Sequence, residues 1–431
     1  MNPEESMTID ERRKYLHKMQ DRYWKATRNE KGRLLDDMQA VTGLHRKSLI
    51  RLLRGDLRRK PRQRQRGFTY GAVVRDAVQL CAQALDYPAA ERLKPVLGQT
   101  ARDLARHGHL HLNEALIEAL EVISASTVHR IVGPVLRKPQ RLGSPRKPGR
   151  RRPRQHSVPI RTLPNSTERP GCLEADTVQH SGPEASGQYA YSLCLTNVAT
   201  GWVGTQATLG NSGLVMEDAF RGVLYHLPFL VQEIHSDNGS EFLNQIVVSS
   251  LQEQGISLSR SRPYHKNDNR FVEENNNSHI RAYIGYARFD TLAQVEALNT
   301  VYRLLNLYHN FFLPVMRTIR DAAGQKHTTV NTPWQRLKDS GVLDDEAVAN
   351  WETFRQHIDP LCLKRSIEAA LHTLDALPGA VPGHTEDVRQ SLGVWKTGTT
   401  LRSASGCPPF PTPPATATAA LPLKKISPQL E

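Results

Sequence analysis

Residues 173–178 read Leu-Glu-Ala-Asp-Thr-Val, a stretch that suits a strand yet carries an aspartate, Asp176, where the first strand of an α/β core calls for an apolar side chain. Aspartate is rarely buried unless it is paired or bound to a metal, so Asp176 marks where the core begins and where its chemistry is to be sought. Downstream, Tyr189, Tyr191, Leu193 and Leu195 alternate as a half-buried strand, residues 197–201 turn, and 202–208 give a third strand. Residues 212–226 show helical spacing through Leu214, Val215, Ala219, Val223 and Leu224. A fourth strand, 230–235, delivers Asp237 at its end. Phe242, Ile246, Val247 and Leu251 then form a helical stripe, and 256–258 a short fifth strand. The segment from about 268 to 286 is expected to be a helix with Glu273 on its first turns.

Three strands, helix, strand, helix, strand, helix is the ribonuclease-H-like order. In it Asp176, Asp237 and Glu273 come from a central strand, a neighbouring strand end and a helix. Three carboxylates so arranged can hold two hard cations roughly 3.5–4 Å apart, the spacing that clamps the attacking and leaving oxygens of a phosphodiester. Taken singly, each acid has a plainer reading. Asp237-Asn238-Gly239 would also suit a hairpin turn, and Glu273 beside Glu274 would suit a solvated helix face. The combination favours a site. His180 and His235 lie close by, His235 on the strand face of Asp237 by period two, and a hydrogen-bonded structural role is the expectation for both.

LEADTVQHSG (173–182), LTNVATGWV (195–203), IHSDNGSEF (234–242) and RPYHKNDNRFVEENN (262–276) together resemble the catalytic core of DDE-type transposases and integrases of bacterial insertion sequences, a core of the retroviral-integrase kind. The resemblance implies that Asp176, Asp237 and Glu273 are the catalytic, metal-binding triad for two Mg2+ or Mn2+ ions, and that Asn238 and Gly239 shape the turn holding the second acid. It also implies that Asn276 and Arg281 lie on the helix face that approaches DNA. Relatives often carry glycine where this chain has Arg270, and Glu274 competes with Glu273 for the third place. The implied activity is that of a polynucleotidyl transferase that binds element ends and cuts and joins DNA strands. Its partners would be double-stranded DNA, both ends and target, and further copies of itself. No ATP is needed, in keeping with the lack of a G-x-x-x-x-G-K-[ST] loop. The alternatives are a ribonuclease-H-like nuclease that does not join, and a DNA-binding regulator whose catalytic core has decayed.

Composition points the same way. The 431 residues suggest about three domains, and a net charge of +14 favours a polyanionic partner. Residues 1–70 are expected to hold a helix-turn-helix: Leu34, Leu35, Met38 and Val41 form one stripe, Thr42-Gly43 break it, and Leu44, Leu49, Ile50, Leu52 and Leu53 resume. Its second helix would present His45, Arg46, Lys47, Ser48 and Arg51 to a major groove, with Arg54 opening a basic tract, although a helical hairpin with a solvated basic face fits the local pattern equally. Residues 71–136 read as a second helical DNA-binding domain. It ends in SASTVHRIVGPVL, where Ser124 or Ser126 would cap a helix carrying Thr127, His129 and Arg130, a segment that fits a plain capped packing helix at least as well.

A linker, 137–170, follows. Between residues 137 and 154 there are nine basic residues, Arg150, Arg151 and Arg152 among them, and no acidic ones, a composition suited to tracking a DNA backbone. The catalytic core is expected over 171–310, with a helix at 290–312. A mainly helical or irregular region, in which Asn331-Thr332-Pro333-Trp334 opens a short helix, is expected over 311–400, and a disordered Pro/Thr/Ala-rich tail over 401–431. Five scattered cysteines without a C-x-x-C pair imply neither disulfides nor structural zinc. The charged start is no secretory signal and no long apolar run is present, so the expectation is a cytoplasmic protein without membrane contact.

Overall fold

The computed structural model describes residues 7–57, 70–133, 158–161, 169–183, 186–262, 265–320, 325–381, 383, 386–393, 395, 401 and 403–414. The chain divides into two compact units, residues 1–69 and 70–431. Arg150, Arg151 and Arg152, with most of the basic linker, lie outside the described residues.

The first unit has three helices, α1 (Ile9–Lys25), α2 (Arg28–Thr42) and α3 (Arg46–Arg54). Capping boxes at Thr8/Glu11 and Thr27/Glu30 start α1 and α2, and Gly43 ends α2 at φ 68°, where a side chain would be strained. Leu16 and Tyr23 of α1 complete a core with Leu34, Leu35, Met38, Leu49 and Leu53. Val41, expected in the apolar stripe, is exposed.

In the second unit four helices, α4 (Ala72–Ala84), α5 (Ala90–Arg106), α6 (Glu114–Val122) and α7 (Ala125–Val132), precede a five-stranded sheet. Ser124 caps α7 by accepting from Thr127 N. These helices share one hydrophobic core with the sheet and the later helices, so 71–136 does not stand apart as a domain of its own. Polar clasps add to the apolar contact. Arg355 pairs with Asp103 at 2.7 Å with both side chains buried, and Tyr308 donates to Ala84 O at 2.7 Å.

The strands are β1 (Cys172–His180), β2 (Ala190–Asn197), β3 (Val203–Leu209), β4 (Glu233–Ser236) and β5 (Ser257–Arg260), in the order β3-β2-β1-β4-β5. β1, β2 and β3 form an antiparallel meander, whereas β1, β4 and β5 run parallel, joined through α8 (Gly213–Tyr225) and α9 (Gln245–Glu253). Every residue of β2 is buried, where a half-buried strand was expected, because helices cover both of its faces. On one face α8 comes so close that a Cβ at Gly204 would strike Val223. On the other, Tyr302 of α12 (Leu292–Phe311) reaches Ser192, and Asn275 of α10 (Arg270–Asn275) reaches Thr196.

The outer edge of β3 is closed by asparagines of α12. Asn310 accepts from Val203 N and donates to Val203 O, both at 2.8 Å, and Asn299 does the same for Ala207 at 2.7 and 3.0 Å. Each amide takes the place of a neighbouring strand's peptide group and leaves this stretch of edge unable to recruit one. Beyond α11 (Ala282–Ile284) and α12 lie a hairpin that local patterning does not foretell, β6 (Val315–Arg320) with β7 (Lys326–Asn331), and the helices α13 (Pro333–Asp339), α14 (Asp345–Gln356) and α15 (Pro360–Asp375). The described part of the tail is packed rather than loose. Phe410 sits against the core and Ala404 N donates to Ser366 Oγ at 2.8 Å.

Candidate active site

β1 is paired so that Glu174, Asp176, Val178 and His180 look toward the α10 and α12 side of the sheet, opposite Thr196, Cys194, Ser192 and Ala190 of β2. This face is unusually polar for a sheet interior. In the parallel register Ala175 stands beside Ser236, the last residue of β4, so Asp237 leaves the sheet next to Asp176. That single pairing brings together two acids 61 positions apart in the chain.

The Asp237 turn is built by its own groups. Asp237 Oδ1 accepts from Gly239 N at 2.8 Å, and a Cβ at Gly239 would lie 2.7 Å from the Glu241 carboxylate and 2.8 Å from that of Asp237, so a larger residue would push these carboxylates aside. Asn238 donates to Ser261 O at 3.0 Å and accepts from Arg260 Nη1 at 2.8 Å, in keeping with a turn-shaping role. Asn269, with its amide turned to satisfy both ends, accepts from Asp237 N at 2.9 Å.

The third acid sits on a helix of irregular course. A 3-10 turn, Lys266–Asn269, runs into α10, then a π-helical turn, Asn276–Arg281, and then α11, where one continuous helix was expected. Such π turns often occur at functional sites. Glu273 and Glu274 are both exposed on α10 but face different neighbours. Glu274 pairs with Arg92 of α5 at 3.2 Å, whereas Glu273 is among the charges acting on Asp176. Arg270, in place of the common glycine, has ordinary helical φ of −67° and lays its guanidinium 4.5 Å from the centre of the Phe271 ring, so the backbone makes no demand for glycine there.

Burial and then Asp237 push Asp176 up to about 7. The N–H of Thr177 opposes this, and Glu273 and Glu241 add to it. None of these influences is a cation. A desolvated carboxylate surrounded by three more is short of positive charge, which a divalent ion would supply. Asn276 donates to Asp176 Oδ2 at 2.7 Å, and its own buried Oδ1 has no hydrogen-bond partner, an orphaned acceptor beside the acids. The donor set, carboxylate and amide oxygens throughout, suits Mg2+ or Mn2+. Among the described residues no three His, Cys, Asp or Glu side chains are gathered as a finished metal-binding set.

Glu241 is the site residue that sequence reasoning passed over. It lies in the quoted IHSDNGSEF stretch, is buried, and accepts from Thr177 Oγ1 at 3.2 Å. A glutamate two residues beyond a glycine turn was the available signal. Glu174 was also missed. It is buried, pushed up to about 7 chiefly by that burial, and accepts from Phe271 N at 2.8 Å and Val272 N at 3.0 Å.

Two residues expected on a DNA-facing surface have internal tasks. Asn276 orients Asp176, and Arg281 donates to Gln179 O and Gly285 O at 2.7 and 2.8 Å, fastening the π turn to the end of β1. His180 and His235 are structural, as expected. His180 Nε2 meets Ser192 Oγ at 2.8 Å, and His235 lies between Ser259 and Ser261 at 2.9 and 3.2 Å, both rings held below the usual imidazole range by burial.

In the first unit, His45 is the N-cap of α3, accepting from Lys47 N at 3.2 Å. Arg46 is committed to α2 through Asp36 and Gly32 O. Lys47, Arg51 and Arg54 are exposed, and at i, i+4 and i+7 they form one basic stripe opposite buried Leu49 and Leu53. A cavity of about 470 Å³ between β3, α8 and α12 shares no lining residue with the acid cluster.

No family model matches the chain. Over 296 residues it is 37% identical to the uncharacterized protein y4rM of Sinorhizobium fredii, across 68% of this chain and 84% of that protein.

Proposed function

We propose that this chain, which belongs to the same family as y4rM of Sinorhizobium fredii, is a DDE-type transposase that binds the ends of an insertion sequence and cuts and joins DNA strands. The observation that carries the reading is the β1–β4 register, which lets Asp237 leave the sheet beside Asp176, with Glu273 among the charges that act on Asp176. The sheet order, with two helices linking its parallel strands, supports a ribonuclease-H-like core. The α2–α3 pair, with its glycine turn and basic stripe, supports a helix-turn-helix that enters the major groove by α3.

Asp176, Asp237 and Glu273 would hold two Mg2+ ions, and the chemistry these would supply is Lewis-acid activation of water or of a 3′-hydroxyl toward a phosphodiester. The rest is the protein's own work. Asn276 and the Thr177 N–H fix the orientation of Asp176, and the Gly239 N–H fixes that of Asp237. Glu241, tied to Thr177, adds negative charge behind them. Lys47, Arg51 and Arg54 would neutralise phosphates at the element end. Because two ends must be held together, the working form is a homo-oligomer on DNA.

The test is a strand-transfer assay with Mg2+ on a labelled duplex carrying the DNA that flanks the gene, run beside Glu273→Gln. Joined product from the wild type and none from the variant is the expected result. Cleavage without joining would identify a nuclease instead, and binding with neither reaction would identify a regulator.

A further inference from the structure

We propose that Glu174 and Arg317 are positioning residues that hold α10 against β1, so that Glu273 is presented to Asp176 and Asp237; the inference rests on the metal-dependent reading above. The start of α10 leaves backbone N–H groups that a local Ser, Asp or Asn would ordinarily satisfy. Asn269 stands at that place but makes no side-chain cap, its amide serving Asp237 N and its own turn instead. The cap comes from 97 residues away, where Glu174 Oε2 accepts both Phe271 N and Val272 N, the two peptide groups just before Glu273.

The source of this cap is what gives it meaning. Glu174 is two residues from Asp176 on the same face of β1, so one rigid strand carries the first acid and grips the helix carrying the third. A cap from within the loop would have satisfied the same N–H groups and left α10 free to drift relative to the sheet. Arg317 of β6 closes the other side. Its guanidinium lies 3.8 Å from the centre of the Phe271 ring, it is buried, and it attracts Glu174. Phe271 thereby has the guanidinium of Arg317 as well as that of its neighbour Arg270 against its ring. Further along, Asn275 donates to Thr196 at 2.9 Å and Asn276 to Asp176 at 2.7 Å, so the helix is pinned at its start and its end with Glu273 between. Residues that orient metal ligands without touching the ion are worth roughly 10–100-fold in metal affinity.

The experiment titrates Mn2+ into the full chain and into Glu174→Ala, Glu174→Gln, Arg317→Met and Asp176→Asn. DNA-end binding in the absence of metal and hydrogen exchange of the 265–281 segment are followed in parallel. Glu174→Ala should weaken Mn2+ binding about 10-fold, speed exchange in 265–281 and leave DNA binding within about two-fold. Glu174→Gln keeps an acceptor oxygen for the two N–H groups and should restore most of the affinity. Arg317→Met keeps apolar contact with Phe271 without the charge, and should weaken binding by several-fold in a protein that still folds should Glu174→Ala not do so. Mn2+ binding lost in Asp176→Asn but unchanged in both Glu174→Ala and Arg317→Met would overturn the positioning role and leave the metal site standing. Absence of Mn2+ binding in the wild type would overturn the metal-dependent reading itself.

Discussion

At the scale of the residue, the site is defined by carboxylates placed where they cost stability. Asp176 ionises at about 7 in the folded chain and near 3.8 in the unfolded one, so between these values folding takes up a proton and stability declines as the pH rises. The penalty is absent near pH 4, grows through the interval and is complete above about 7. Asp176→Asn should therefore stabilise the metal-free protein at pH 8 by an amount on the order of 4 kcal/mol, read as a higher melting temperature, while the difference from wild type shrinks toward zero at pH 4. A variant equal to or less stable than wild type at pH 8 would mean that the acids are not in mutual opposition. Mn2+ should stabilise the wild type and not the variant. Glu241→Gln removes one of the charges acting on Asp176 and should let it ionise at lower pH, bringing metal binding to lower pH; a profile unmoved by the change would take Glu241 out of the cluster.

At the scale of the element, α3 and α12 each show a helix face devoted to one task. On α3, Arg46 pairs with Asp36 of α2, and Lys47, Arg51 and Arg54 form the exposed basic face that the proposed DNA contact would use. Replacing Lys47 and Arg51 with glutamine should weaken DNA binding and reduce its logarithmic salt slope by about one for each phosphate no longer neutralised, while the fold stays intact. An unchanged slope would remove α3 from the interface. On α12, Asn310 supplies both hydrogen bonds to Val203, so Asn310→Leu strands a buried N–H and C=O. The expected destabilisation is roughly 2–4 kcal/mol, read as an earlier denaturant midpoint, with greater aggregation because β3 then offers an open edge.

At the scale of the whole molecule, the two units have separate hydrophobic clusters with no residue in common. Calorimetry of the full chain should show two transitions rather than one. Leu49→Ala should lower only one of them, by about 2–5 kcal/mol, since Leu49 is fully buried in the core of residues 1–69. A single transition that moves as a whole would show that the two units unfold together. Among the described residues no helix is long and apolar enough to cross a membrane.

Local sequence was enough to mark the strand that carries Asp176, the meander and crossover helices that follow and the Gly43 break before α3, because each depends on local period, turn chemistry or a residue type out of place. The rest belongs to the folded chain. Glu174 and Glu241 read locally as one glutamate in a strand and one in a loop, and only the pairing of β1 with β4 and the docking of α10 turn them into parts of a cluster. Asn276 and Arg281 read as a polar or basic helix face, yet the chain uses them internally, since periodicity states which face a side chain is on and not what stands opposite. The fusion of 71–136 with the core, the hairpin over Phe271 and the packed segment 403–414 likewise rest on residues that lie far apart in the chain and meet only in the fold. Such meetings are settled by which surfaces bury one another, a property that no local stretch carries.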